Sequence, residues 1–332
     1  MVEGSITSPR GGLRCSRRWV QHVRPSDWQE FAHPICTAGS QSMCDNDDLN
    51  EFAQRGADVS RRHFGALAVG AGLTMMLPPL ANAADLTGTD VDIKTPDGTA
   101  DAYFVHPSAK GKYPGVLIWP DIFGLRPAFK EMARRLAESG YAVLVVNPFY
   151  RTKKAPTAPE HPNFQDPATR DMLLGLMNAL TPATEVTDAK AFVAWLDTQP
   201  AVDKKKKMGT TGYCMGGPFT LRTAATVPSR VGAGASFHGG GVVTDKPDSP
   251  HLLIPEIKAQ YLFAIADSDD KNQPAAKTVL KDAFAKAKLP AEIEVYTGAQ
   301  HGWCPPDSAV YNHDLAEKAW SRLLVLFKTA LV

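Results

Sequence analysis

The stretch Gly212-Tyr213-Cys214-Met215-Gly216-Gly217 constrains the fold of this chain more than any other. It follows a strand-forming run, residues 208–213, and opens a segment with a helical pattern. A nucleophile flanked by glycines in this setting is typical of a sharp strand-to-helix turn, which lifts the side chain above the end of a sheet. The N-terminus of the helix also helps to stabilise a thiolate. We therefore predict that Cys214 is a nucleophile.

Short β-branched runs alternate with longer helical patterns from Asp85 onward. This alternation predicts an α/β fold with a mostly parallel central sheet and helices on both of its faces. The predicted strands cover residues 103–105, 116–119, 141–146, 208–213, 261–266 and 293–296. The predicted helices cover residues 127–139, 274–287 and 312–329, with another beginning at Met215. The polar, Pro-rich stretch 151–182 interrupts the pattern and is typical of an insertion that acts as a lid.

Acid and base candidates follow the later predicted strands. Asp267, Asp269 and Asp270 come after residues 261–266, and His301 comes after residues 293–296. The chain order nucleophile, acid, histidine is the order that this kind of turn requires. His301 would take the thiol proton and later activate water, while an aspartate would hold its other ring nitrogen.

Two backbone amides are predicted to stabilise the oxyanion that acyl transfer creates. Met215 follows the nucleophile, and Ile122 lies in the loop 119–124 after an early strand. The residues His238-Gly239-Gly240-Gly241 look like an oxyanion motif of lipases, but they come after the nucleophile, where that motif does not belong. We interpret them as a glycine-rich loop that follows a strand.

These residues resemble the dienelactone hydrolase family, a branch of the α/β-hydrolases, from about Asp90 to Phe327. The resemblance rests on the residues around Cys214, on Asp121-Ile122-Phe123-Gly124, on Gly140-Tyr141-Ala142-Val143 and on Gln300-His301-Gly302. It implies an α/β-hydrolase fold and hydrolysis of a lactone or ester through a thioester, without a metal or organic cofactor.

The resemblance also assigns roles to single residues. Related hydrolases place the acid three residues beyond the small residue that ends the strand, here Ala266, which favours Asp269 over the runner-up Asp267. A carboxylate, usually glutamate, stands in the family where Asp121 stands here, and it contacts the resting thiol.

Substrate binding is the point at which the sequence departs from the family. Arg170 matches one of the arginines that bind a substrate carboxylate in the family, but Trp303-Cys304-Pro305 replaces the second. We therefore expect Arg170 and Trp303 to contact substrate, and we expect weaker carboxylate recognition. A general carboxylesterase or thioesterase, or a catalytically silent ligand-binding homologue, stays open as an alternative.

Charge and cysteine usage exclude several other classes of partner. A formal net charge of +1 gives no reason to expect nucleic acid or an anionic membrane as a partner, so we expect a small molecule. The five cysteines form no zinc or disulfide framework, and Pro305 and Pro306 argue against a metal site at His301, Cys304 and Asp307. Cys304, three residues from His301, is expected to lie near Cys214, where the two thiols could be oxidised together.

The first 83 residues are predicted to be an N-terminal extension that ends in an export signal. Arg61-Arg62 precede the weakly apolar residues 64–80, and Ala81-Asn82-Ala83 has the small-x-small form of a cleavage site. This order resembles a twin-arginine signal, with Met43 as a possible true start. We expect the export machinery to deliver a hydrolase domain, residues 84–332, to the periplasm without stable insertion in the membrane.

Overall fold

The computed structural model describes residues 85–160 and 162–332. The predicted export signal and the alternative start at Met43 lie outside these residues. The described chain builds one sheet of eight strands in the order β1-β2-β4-β3-β5-β6-β7-β8. The strands are β1 Leu86–Thr95, β2 Gly98–Pro107, β3 Gly115–Trp119, β4 Ala142–Val146, β5 Met208–Tyr213, β6 Val231–Phe237, β7 Gln260–Ala266 and β8 Ala291–Tyr296.

Strands β3 to β8 pair in parallel, whereas β1 and β2 form an antiparallel hairpin whose second strand pairs antiparallel with β4. Strands β3, β4, β5 and β6 are buried along their whole length, as expected for a parallel sheet covered on both faces. The predicted α/β-hydrolase fold is thus confirmed. Strand β1 was not predicted, because its residues are mostly polar and exposed.

Helices cover both faces of the sheet. The α-helices are α1 Pro127–Glu138, α2 Pro167–Asn178, α3 Pro182–Thr198, α4 Gly216–Thr226, α5 Asp267–Asn272, α6 Ala276–Ala287 and α7 His313–Ala330, and a 3₁₀ helix covers Pro250–Glu256. Helices α1 and α7 bury Phe129 and Phe327 in the core on one face. Helices α2, α3 and α4 bury Leu173, Phe192 and Phe219 in the core on the other.

The predicted helices agree with the structure to within two residues at each end. Helix α1 begins at Pro127, where a proline costs no hydrogen bond, and ends before Gly140, which has a φ of 94°. The insertion at residues 151–182 contains α2, whose N-cap Asp166 accepts a hydrogen bond from the amide of Thr169. Within the described residues, no helix is long and apolar enough to cross a membrane.

Candidate active site

The turn between β5 and α4 presents the Cys214 side chain at the carboxyl end of the sheet. Cys214 has a φ of 51°, a left-handed conformation that is costly for a residue with a Cβ atom. Two hydrogen bonds hold the turn: the Cys214 amide donates to the Phe237 carbonyl at 3.0 Å, and the Gly217 amide donates to the Cys214 carbonyl at 2.9 Å. The surrounding structure therefore keeps the backbone at Cys214 in a strained conformation.

Glycines at this turn are required by close backbone contacts. A Cβ atom on Gly212 would lie 1.9 Å from the carbonyl oxygen of Gly216, and one on Gly216 would lie 2.3 Å from the carbonyl oxygen of Trp119. Both distances are too short for any side chain. The glycines that suggested the turn in the sequence thus have a direct steric explanation.

His301 lies against Asp269, on the loop that follows β8. Its Nδ1 is 2.9 Å from Oδ1 and 3.0 Å from Oδ2 of Asp269, and its backbone amide donates to Ser268 Oγ at 2.9 Å. The other two candidate aspartates pair with lysines, Asp267 with Lys271 and Asp270 with Lys277. Of the three, the structure brings Asp269 to the histidine.

The electrostatic environment favours a charged His301. Burial alone lowers the pKa of His301, but the negative charges of Asp269 and of the Cys214 thiolate, with hydrogen bonds from His301 to both, hold it well above its usual range. A buried imidazolium beside a thiolate is the arrangement that activates cysteine nucleophiles. The structure therefore joins Cys214, His301 and Asp269 into one electrostatic unit.

A cavity of about 220 Å³ opens above Cys214 and His301. Pro162 and Phe164 of the insertion lie on its wall, which is where the predicted lid would be expected. Besides Cys214 and His301, the residues that line the cavity are Asp121, Ile122, Phe123, Arg126, Pro162, Phe164, His238, Gly302, Asp307, Ser308 and Ala309. Its size suits a small organic molecule.

Of the two predicted oxyanion donors, Ile122 shares the cavity wall with the nucleophile and Met215 follows it in the chain. Ile122 is buried and lines the cavity, and Met215 is the residue between Cys214 and the first residue of α4. Their role in binding an oxyanion stays a prediction.

Asp121 is buried in the same loop, where Arg126 engages both of its carboxylate oxygens. Arg126 Nη1 donates to Asp121 Oδ1 at 2.7 Å and Nη2 donates to Oδ2 at 2.9 Å, while the Phe123 amide donates to Oδ1 at 3.0 Å. The predicted contact of Asp121 with the resting thiol stays a prediction.

Arg126 and His238 are two of the cavity-wall residues that were not predicted as site residues. Arg126 precedes the proline that starts α1, so in the sequence it was indistinguishable from an ordinary loop residue. His238 was interpreted only as part of a glycine-rich loop after β6, yet its ring centroid lies 5.1 Å from that of His301. Burial, and secondarily the charge of His301, hold the pKa of His238 well below its usual range, which favours its neutral form.

The two predicted substrate-binding residues lie elsewhere. Arg170 in α2 is half-buried, its nearest ionic partner is Asp171 at 3.8 Å, and it is not among the residues that line the cavity. Trp303 is fully buried, stacked on Tyr296 and edge-on to His238, behind the cavity wall. Neither residue is on the cavity wall, and Trp303 packs into the core.

Cys304 and Cys214 belong to different core clusters. Cys304 packs with Tyr213 and Trp303, whereas Cys214 packs with Trp119 and Phe219. The two cysteines form no disulfide. Burial raises the pKa of the Cys304 thiol well above its usual range. Cys304 is therefore a buried packing residue, and joint oxidation of the two thiols stays a prediction.

Within residues 85–160 and 162–332, no group of three or more histidine, cysteine, aspartate or glutamate side chains could hold a metal ion. His301, Cys304 and Asp307, the one triplet considered from the sequence, are not such a group.

Known proteins resemble this chain over most of its described residues. The model of the Dienelactone hydrolase family matches residues 100–331. A Rhodococcus opacus protein named carboxymethylenebutenolidase is 28% identical over 246 residues, covering 72% of this chain and 90% of its own length. A Synechocystis homologue is also 28% identical, over 253 residues that cover 74% of this chain and 98% of its own.

Solved structures share the fold. The crystal structure of a dienelactone hydrolase-like promiscuous phosphotriesterase from metagenomic libraries superimposes with a TM-score of 0.61 at 24% identity, covering 74% of this chain and 99% of its own.

Proposed function

Because this chain belongs to the dienelactone hydrolase family and is a carboxylic ester hydrolase, we propose that it cleaves a lactone or ester through a thioester on Cys214. His301 is the general acid and base in this proposal, and Asp269 holds it in place. The observation that carries the proposal is the contact of His301 with both carboxylate oxygens of Asp269. His301 and Cys214 line the same cavity.

The first half of the proposed reaction forms the thioester. The Cys214 sulfur attacks the carbonyl carbon of the substrate, and the carbonyl π electrons move to oxygen as an oxyanion. The amides of Ile122 and Met215 donate to that oxygen. When the oxyanion collapses, the bond to the alkoxy oxygen breaks, and the imidazolium of His301 gives its proton to the departing oxygen. In a lactone, the released alcohol or enol stays attached to the acyl group.

The second half hydrolyses the thioester. His301 removes a proton from a water molecule, which adds to the thioester carbonyl, and collapse of the second oxyanion expels the Cys214 thiolate. The product is a carboxylic acid, and the thiolate again faces the imidazolium. Asp269 keeps the Nδ1 proton of His301 in place in both halves, so that Nε2 faces the reaction.

The experiment measures hydrolysis of a dienelactone and of a simple aryl ester by the full chain, with Cys214→Ala as the test variant and Cys304→Ala as its matched control. We expect turnover in the wild type and the Cys304 variant and none in the Cys214 variant. Intact-mass analysis shortly after mixing should show one acyl group, and peptide mapping should locate it on Cys214. Ligand binding without turnover in a folded, reduced wild type would instead support a silent binding protein.

Export to the periplasm by the twin-arginine pathway is part of the same proposal. Its support is the order of Arg61-Arg62, the apolar residues 64–80 and Ala81-Asn82-Ala83.

A further inference from the structure

The charged groups on the cavity wall are unbalanced towards negative charge. Asp121, Arg126 and Asp307 line the cavity together with Cys214 and His301. Arg126 is the one arginine or lysine among the lining residues of this cavity, and it faces two carboxylates. A substrate that brings a third carboxylate would therefore meet a guanidinium that already has two.

All five N–H groups of Arg126 are used within the chain. Nε donates to Asp307 Oδ2 at 2.6 Å, and Nη2 donates to Asp307 Oδ1 at 3.0 Å and to Asp121 Oδ2 at 2.9 Å. Nη1 donates to Asp121 Oδ1 at 2.7 Å and to the Gly124 carbonyl at 3.4 Å. A guanidinium has five N–H donors and no more, so a substrate carboxylate can bind Arg126 only by displacing a partner that is already bound.

The two partners differ in how easily they could be displaced. The Asp121 side chain is 8% exposed and also accepts from the Phe123 amide, whereas the Asp307 side chain is 43% exposed. Asp307 stands on the loop after His301, and its partly exposed side chain lines the cavity. It is therefore Asp307 that decides whether Arg126 is available to a substrate.

We propose that Asp307 is a specificity-determining residue, which occupies Arg126 and so selects lactones or esters that are neutral or cationic over those that carry a carboxylate. This inference rests on the proposed ester hydrolysis and names its substrate class. The placement of Arg170 agrees with it, because the arginine expected to bind a carboxylate lies outside the cavity wall.

The test compares two aryl esters with the same leaving group and similar acyl length, 4-nitrophenyl butyrate and the 4-nitrophenyl monoester of succinate. The readout is the ratio of kcat/KM for the succinate ester to kcat/KM for the butyrate ester, measured on the full chain. The wild type should prefer the neutral ester. In Asp307→Ala, two donors of Arg126 become available to the succinate carboxylate, and the ratio should rise about tenfold, the value of one charge-assisted contact.

Three further variants sharpen the test. Asp307→Asn keeps the shape of the side chain while removing its charge, and its ratio should also rise. Asp314→Ala removes the same charge from a side chain that is 96% exposed and paired with His313, and its ratio should equal that of the wild type. Adding Arg126→Gln to Asp307→Ala should abolish the gain.

The outcomes separate this inference from the proposed function. A wild type that prefers the succinate ester, or a ratio that stays unchanged in both Asp307 variants while butyrate ester is still turned over, overturns the inference alone. A wild type that turns over neither ester overturns the proposed function, and the inference with it.

Discussion

The imidazole Nδ1 of His301 lies 2.9 Å and 3.0 Å from the two carboxylate oxygens of Asp269. Asp269 lies in the short helix α5, which directly follows β7, and His301 lies on the loop that follows the neighbouring parallel strand β8. Parallel pairing brings the carboxyl ends of these strands to one edge of the sheet, beside the turn that holds Cys214. The contact thus follows from the topology, although more than thirty residues separate the two side chains in the chain.

Asp269→Asn should lower kcat on an aryl ester by about three to four orders of magnitude, because an amide cannot hold the histidine in the required tautomer or stabilise its positive charge. Asp267→Asn is the matched control: Asp267 pairs with Lys271, and the variant should keep nearly the wild-type rate. Steady-state kinetics of the two purified variants gives the kcat values that decide which aspartate is the acid. An equal loss of kcat in both variants, or a larger loss in the Asp267 variant, would show that the assignment of Asp269 as the acid is wrong.

Thiol alkylation should report the ion pair of Cys214 and His301. The neighbouring charges raise the pKa of His301. In the proposed mechanism an imidazolium therefore faces the Cys214 sulfur, and such a neighbour lowers the pKa of a thiol below its usual value of about 8.5. Iodoacetamide at pH 6 should therefore label Cys214 quickly, and His301→Asn should slow this labelling at least about tenfold at pH 6 and much less at pH 9.

Cys304 is the internal control for that experiment. Burial raises the pKa of its thiol well above the usual range, so peptide mapping of the folded protein should show Cys304 without label while Cys214 is modified. Labelling of both cysteines at similar rates would contradict the assignment of Cys214 as the activated thiol.

Much of the fold and of the candidate site could be predicted from local signals. The glycines around Cys214 have one steric explanation. Strands β3, β4, β5 and β6 are buried along their whole length, so the parallel part of the sheet and the strand-to-helix turn followed from the sequence. His301 and a nearby aspartate followed from chain order. The choice of Asp269 needed a resemblance, because three aspartates follow one strand within four residues.

The missed features depend on contacts between distant segments. Arg126 on the cavity wall donates to Asp307, which lies 181 residues further along the chain. The sequence alone does not show this contact. His238 was interpreted from the sequence as a loop residue, whereas the structure shows it directly after β6 and beside His301. Arg170 was assigned by counting along the chain, which cannot show whether a residue of the insertion reaches the cavity wall.

Gly216→Ala should disrupt the turn that holds Cys214. The added methyl group would lie 2.3 Å from the Trp119 carbonyl oxygen and 2.7 Å from that of Pro120, so the free energy of unfolding should fall by at least about 3 kcal/mol. Gly175→Ala is the control, since its methyl group meets no atom within 4 Å in helix α2 and should add about 0.5–1 kcal/mol of stability. Urea unfolding followed by circular dichroism measures both, and equal effects would contradict the steric argument.

Replacing Arg61 and Arg62 together by lysine should keep the precursor in the cytoplasm, because a twin-arginine signal requires the arginine pair and not only its charge. The matched control is Arg55→Lys, which makes the same replacement six residues earlier. Cell fractionation in a Gram-negative host should find the control in the periplasm, with Ala84 as its N-terminal residue. Export of the double variant to the periplasm would show that residues 61–83 are not a twin-arginine signal.

Glu185 should make the stability of the protein depend on pH in an unusual direction. Its side chain is buried beside Arg222, with Asp188 and Asp248 nearby. Burial raises the pKa of Glu185 from 4.5 to about 8, although the attraction of Arg222 opposes the change. A carboxyl group whose pKa is higher in the folded state binds its proton more tightly there, so its contribution is complete below about pH 4.5 and disappears as the pH rises through about 8.

Between pH 5 and pH 8, the wild type should therefore lose up to roughly 4 kcal/mol of unfolding free energy relative to Glu185→Gln, whose amide does not titrate. Exposed Glu138, at the end of α1, supplies the control Glu138→Gln, whose pH dependence should parallel that of the wild type. Urea unfolding of the three proteins at half-unit pH steps measures the slopes. Parallel curves for wild type and Glu185→Gln would mean that Glu185 is ionised in the folded protein and that its contact with Arg222 outweighs the cost of burial.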